Sequence, residues 1–213
     1  MQQIINYFSE NADSYVQLVW EHVIISLDSI VIAMAIAIPL GILSTKNRHL
    51  YQAIKAVFGT LRIVPSLAIL VLFIPILGTG LKPAVVALAI LAIPPILMNT
   101  ALAFHTLPEA VLETALGMGM GKWRTFLTVK IPLAFPLVFT GIKTAVVEVI
   151  ASATLAAYIG AGGLGSLIFT GLGLMRTDLL LIGGISVGIL SLLSGYLLNL
   201  LDRRITIYKT VNV

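Results

Sequence analysis

The chain has 213 residues, of which 59% are apolar and only 10% charged, with a mean hydropathy of +1.06. A soluble domain carries about a quarter charged residues, so most of this surface faces lipid or other helices. A complete lack of cysteine excludes disulfides, zinc–thiolate sites and thiol catalysis, and the basic residues behind the net charge of +4 are spread over loops rather than gathered into a nucleic-acid patch.

Residues 1–20 are mildly acidic, with Glu10 and Asp13, and show neither a basic n-region nor a cleavable signal. Residues 1–18 are expected outside the membrane, with Tyr7, Tyr15 and Trp20 in an interfacial aromatic belt. Five stretches reach or approach the roughly 20 apolar residues of a bilayer-crossing helix: 23–43, 63–77, 84–104, 133–159 and 179–201. They lack period-two alternation and are too long for barrel strands, so the expected class is an all-α polytopic membrane protein of about five transmembrane helices.

Span one carries Asp28 near its outer end and a small-residue row, Ala33, Ala37 and Gly41, at four-residue spacing. Span five repeats that row with Gly184 and Gly188, and with Ser191 and Gly195. Such rows let backbones approach, and packing within the chain is the expected use. Span two is short and holds Pro65 and Pro75. Span three holds Pro94 and Pro95 midway, which remove two backbone donors and favour a bend. A helix that lines an opening and closing pathway would carry such a feature.

Between spans three and four, residues 106–132 change character. Pro108 reads as the first residue of a short helix capped by Thr106, with Glu109 and Glu113 in its first turns, where the helix dipole favours a carboxylate. Gly117, Gly119 and Gly121 make a turn, and a second short helix from Lys122 to Lys130 carries Trp123 and Phe126 and should end at Pro132. The loop holds no catalytic group. Its segment from Gly117 to Trp123 is not a phosphate loop: Leu116 stands where that motif needs glycine, and Trp123 where it needs a hydroxyl.

Span four carries Glu148 at depth. A carboxylate at mid-span costs roughly 2.5–3.5 kcal/mol on insertion scales, so it faces a partner or a wet cavity. Either it faces a wet path through the bundle, or it bonds Ser152 or is neutralised by a proton. Gly160, Gly162 and Gly165 match a dinucleotide-binding spacing, but they follow an apolar helix with no βαβ unit around them. A tight turn or partly re-entrant element is the expected structure there. His22, His49 and His105 lie apart near span ends and set up no metal-ligand spacing.

Orientation follows from the short loops. Lys46, Arg48, Lys55 and Arg62 lie between spans one and two; Lys122, Arg124, Lys130 and Lys143 lie in or beside the next loop on that side; Arg203, Arg204 and Lys209 follow span five. Only Lys82 and Arg176 fall opposite. The N-terminus is therefore expected outside, and the residue 106–132 loop and the C-terminus in the cytoplasm.

Glu113, Thr114, Ala115, Leu116, Gly117, Met118 and Gly119, followed by Ile131 and Pro132, resemble the "EAA" loop of type I ABC importer permeases. The resemblance implies that Glu113, Ala115, Gly117, Gly119, Trp123, Arg124 and Pro132 form the surface that couples to the ATPase, and that residues 19–198 are an ABC transmembrane type-1 domain followed by a cytoplasmic tail, 199–213. Glu148, Pro94 and Pro95 are the expected pathway residues. The glycine run with its flanks from Thr154, the Arg62, Ile63, Val64, Pro65, Ser66, Leu67 stretch, and Glu21 with His22 are similar to permeases for osmoprotectants such as glycine betaine, carnitine and choline. Importers of methionine and phosphonate carry similar glycines, and a secondary transporter is the alternative outside this class. On the osmoprotectant reading, Glu148 gives the translocation path a lining that favours a cationic or zwitterionic quaternary amine. The implied chain is not itself an enzyme. ATP and magnesium belong to a pair of ABC ATPase subunits, a second permease (identical or paralogous) completes the pathway, and an extracytoplasmic binding protein delivers substrate. Its implied site is the bacterial plasma membrane, in contact with membrane lipid and no nucleic acid.

Overall fold

A computed structural model describes residues 2–205, the side chains of Gln2 and Gln3 excepted; Lys209 and the tail from 206 onward lie outside the described residues. The described residues form helices joined by short turns, with no strand among them. In order they form α1 Gln2–Ser44, α2 Arg48–Leu61, α3 Ser66–Leu72, α4 Ile74–Leu77, α5 Leu81–His105, α6 Glu109–Gly117, α7 Lys122–Thr125, α8 Ile131–Ala156, α9 Gly165–Gly173 and α10 Thr177–Ile205. Four helices are long and apolar enough to cross a membrane, and a fifth crossing follows if α2 is joined to α3 and α4 as one span bent by 93°.

The bundle is built around α5, which packs between α1 and α8. In lipid the hydrophobic effect does not drive helices together, so close backbone approach and dispersion must. The row on α1 supplies that approach: Ala33 and Ala37 are fully buried, and a Cβ on Gly41 would come within 2.7 Å of Thr100 on α5. From the other side Gly141 of α8 lies equally close to Asn99. The hydroxyls of Ser26, Ser29 and Thr100 each donate to the carbonyl four residues earlier, which satisfies them without solvent. The row on α10 behaves differently. Gly183 faces Ile168 of α9, whereas Gly184 and Gly188 meet open space among the described residues, and a Cβ on Gly195 would come within 3.8 Å of Val147 on α8.

Span two departs most from the sequence reading. The side chain of Asn47 accepts from the His49 amide at 2.8 Å and starts α2 well before the expected span. Tyr51 stacks on His105, at the basic end of α5, with ring centroids 4.6 Å apart. The chain then breaks at residues 62–65, because a residue preceding proline is pushed out of the helical region. The Arg62 side chain consequently reaches Leu91 and Pro94, halfway along α5, while it also borders a cavity with Met98, Asn99 and Leu102 nearer the basic end. Lys143 likewise lies inside α8, where its Nζ reaches Asp202 Oδ2 at 2.7 Å and Asn199 at 3.1 Å.

At the opposite end, Tyr15 shares a 2.7 Å hydrogen bond with Ser186, and Tyr7 and Phe8 pack edge-on beside it. These two tyrosines thus tie α1 to α10, whereas Trp20 stays exposed. The boundary at residue 18 carries no break; the bend in α1 is at Asn11. The glycine run forms a left-handed turn at Gly160 followed by α9, which packs back on α10. A Cβ at Gly165 would collide with the Thr154 carbonyl, and the Gly163 amide donates to Glu21 Oε2 at 3.0 Å. His22 Nε2 donates to the Ile150 carbonyl at 3.0 Å, so both residues of the Glu21, His22 pair hold this outer corner.

Candidate functional site

The residue 106–132 loop emerges at the basic end as a helix, a turn and a second helix. Glu109 opens α6, with Pro108 in the capping position; Thr106 instead closes α5 by donating to the Leu102 carbonyl at 2.9 Å. The turn reverses at Gly119, whose φ of +78° is a conformation that side chains with a Cβ rarely adopt. Its surroundings are open, so conformation and not space requires glycine there. Ala115 is buried in the loop's own interior, where its carbonyl accepts from the Met120 amide at 3.1 Å. Thr125, also buried, donates to the Gly121 carbonyl at 3.2 Å.

The second helix does not stop at Pro132. Residues Phe126–Lys130 form a π-turn in which the Ile131 amide donates to the carbonyl five residues back, at Phe126. That wider turn lets the chain enter α8 with Pro132 at its second position, so α7 and α8 form one continuous helix, Lys122–Ile159. Trp123 stacks on Phe126 at 5.9 Å, and Phe126 on Phe104 of α5 at 6.0 Å. The loop is thereby joined to the central helix.

Its outer surface is unusual for a loop. Trp123 is 71% exposed, Met118 66% and Leu116 56%. Glu113, Gly117, Gly119 and Arg124 are exposed around them, and Glu113 has no ion pair among the described residues. An apolar patch bordered by single charges of both signs is the character of a protein-docking surface. Leu116 and Met118 were the residues that motif reading passed over; three apolar side chains beside turn glycines are the signal that marks them.

A second site lies halfway along the bundle. Glu148 Oε1 accepts from Arg62 Nη2 at 2.9 Å, across the break between α2 and α3. The pair borders a cleft of about 360 Å³ with Val64, Ser66, Leu91, Pro94 and Ala151 among its walls. Side-chain exposures of 43% for Arg62 and 36% for Glu148 leave both reachable from the cleft. Ser152 lines the same cleft but is not the partner of Glu148. Thr140, Thr144, Glu148 and Ser152 recur every fourth residue, so they form one polar stripe on α8. Glu148 joins this cleft to a second one, lined by Thr140, Lys143 and Asn199, toward the basic end.

Pro94 and Pro95 are fully buried, and α5 runs through them as one helix. Neither has an N–H, so the carbonyls of Ile90 and Leu91 lose the donors those positions would supply. Leu91 and Pro94 are both cleft residues.

A family model described as "Binding-protein-dependent transport system inner membrane component" matches residues 37–207. The chain is 43% identical over 206 residues, 97% of its length and 94% of the relative's, to the carnitine transport permease protein OpuCB of Listeria monocytogenes. It is 37% identical, over 97% of its length and 95% of the relative's, to the glycine betaine/carnitine/choline transport system permease protein OpuCB of Bacillus subtilis. Among solved structures, an inward-facing form of the MetNI methionine ABC transporter superposes with a TM-score of 0.79 at 24% identity, covering 90% of this chain and 95% of that one. At that identity the likeness concerns the fold.

Proposed function

The chain belongs to the family of binding-protein-dependent transport system inner membrane components, a multi-pass transport permease family, and on that premise we propose that it carries quaternary-amine osmoprotectants across a bacterial plasma membrane. Glycine betaine, carnitine and choline are the substrates in the printed names of its relatives, and the polar stripe on α8 fits a solute of that class. Two such permeases, identical or paralogous, would enclose the pathway between them. An extracytoplasmic binding protein would deliver the solute to the end bearing α9.

The observation that carries the mechanism is the exposed loop with its Trp123, Phe126, Phe104 ladder into α5. ATP and magnesium act on a pair of separate ATPase subunits that grip Glu113, Gly117, Gly119, Trp123 and Arg124. Ala115 and Pro132 shape the loop from within. Closure of the ATPases would pull the loop, and the ladder would pass that pull to α5 beside the pathway residues Pro94, Pro95 and Glu148. High-affinity recognition would rest with the binding protein, since the named cleft walls include no aromatic cage for a quaternary ammonium.

The absence of native cysteine allows a direct test. A single thiol introduced as Met118→Cys, exposed at the loop tip, should cross-link to the partner ATPase in membranes. Failure to cross-link any ATPase subunit, with the permease correctly inserted, would remove the docking role.

A further inference from the structure

We propose that Arg62 and Glu148 are the two poles of a site for zwitterionic quaternary amines, the guanidinium receiving the carboxylate of the solute and Glu148 its trimethylammonium group. The proposal deepens the reading above and rests on it.

Arg62 and Glu148 meet through one described hydrogen bond, Nη2 to Oε1. A guanidinium has five donors and a carboxylate four lone-pair directions, so both groups keep capacity for a ligand. Their separation of 86 residues in sequence is bridged only because α2 breaks at Arg62 and brings it to the middle of α5. A charged pair at that depth in a membrane protein, open to a cleft, marks a solute path. A quaternary ammonium donates no classical hydrogen bond; it needs a negative charge and an apolar wall for its methyl groups. Glu148 supplies the first, and Val64, Leu91, Pro94 and Ala151 the second. A cleft without aromatic rings holds such a cation weakly, which suits a site that must release its solute.

Charge balance sets the selectivity. A zwitterion exchanges with the Arg62–Glu148 pair one pole for one pole, and no charge is left alone. A simple cation such as choline occupies Glu148 and leaves the guanidinium without its partner in a half-open cleft. Leaving one member of an ion pair unpaired carries a cost, which solvent reduces at exposures of 43% and 36%. The site therefore favours glycine betaine over choline by rejecting the wrong solute rather than by gripping the right one.

The test uses the intact permease–ATPase complex in nanodiscs, without binding protein, titrated with glycine betaine and with choline at millimolar concentration. Saturation-transfer NMR of the N-methyl protons reads the binding. The wild type should bind glycine betaine about fivefold more tightly than choline, the scale of one half-exposed ion pair. Arg62→Gln should bring the two affinities within about twofold by losing the betaine advantage, Arg62→Lys should restore the preference, and Glu148→Gln should weaken both ligands. Equal binding in the wild type, binding of neither, or a preference that Arg62→Gln leaves intact would overturn the proposal. Loss of both ligands in Arg62→Gln would instead assign Arg62 a purely structural latch and overturn it too. ATP-driven uptake with the binding protein present is a separate readout. If uptake succeeds while the titration fails, only the two-pole site falls; if no quaternary amine is taken up, the functional reading falls.

Discussion

At the scale of the residue, Gly119 and Glu148 carry different kinds of evidence. Gly119 is fixed by backbone geometry: its φ of +78° costs a residue with a Cβ roughly 1–2 kcal/mol. Gly119→Asp should therefore distort the turn, reduce ATPase co-purification by about tenfold for such a strain, and leave membrane insertion unchanged. Normal co-purification would show that the turn tolerates other conformations. Glu148 is fixed by charge. Glu148→Gln should lower osmoprotectant uptake while the ATPases still assemble on the loop, and uptake at wild-type rates would take Glu148 off the pathway. A carboxylate in an apolar run declares itself in a sequence, so Glu148 was legible. Its partner was not. Arg62 looks like a loop residue at the edge of a short apolar run, and only the break in span two lifts it to mid-depth beside Glu148.

At the scale of the element, the helix–turn–helix of residues 106–132 was legible in outline because glycine spacing, an acidic first turn and the flanking spans all mark the same segment. Two details were not. Proline normally ends a helix reading, yet the π-turn at Phe126–Lys130 admits Pro132 into a helix that continues to the other side of the bundle. Ala115 was expected on the docking surface, but it is buried, and its carbonyl accepts from the Met120 amide, so it lets α6 close on the turn. Ala115→Leu should overfill that interior at about 1–3 kcal/mol and open the loop to limited proteolysis, with loss of ATPase binding as the consequence. A variant that resists protease but fails to bind the ATPase would place Ala115 in the contact itself. The small-residue rows show the same limit. Spacing identifies a close-packing face, and the partner on that face is set by topology: α5 for the row on α1, and no described element for Gly184 and Gly188.

At the scale of the whole molecule, composition alone was enough for an all-helical bundle with four crossing helices and a fifth broken one. The centre of that bundle was harder to read. All five apolar stretches look alike by hydropathy, whereas 61% of the most apolar window of α5 is buried and only 22% of that of α10. The lightly buried α10 and the half-open Arg62–Glu148 cleft both leave surface for a second permease copy or paralogue. The outer corner was half legible: the glycines announced a turn, and Glu21 with His22 became meaningful only once that turn was seen to rest on them.

The central claim is that this permease moves quaternary amines under the control of a separate ATPase. Reconstitution into proteoliposomes with its ATPase and binding protein, followed by uptake of labelled glycine betaine, carnitine, choline and methionine, tests it most directly. The account predicts accumulation of quaternary amines that stops when ATP is withheld, with methionine left outside. Uptake that proceeds without ATP, or accumulation of methionine alone, would contradict it.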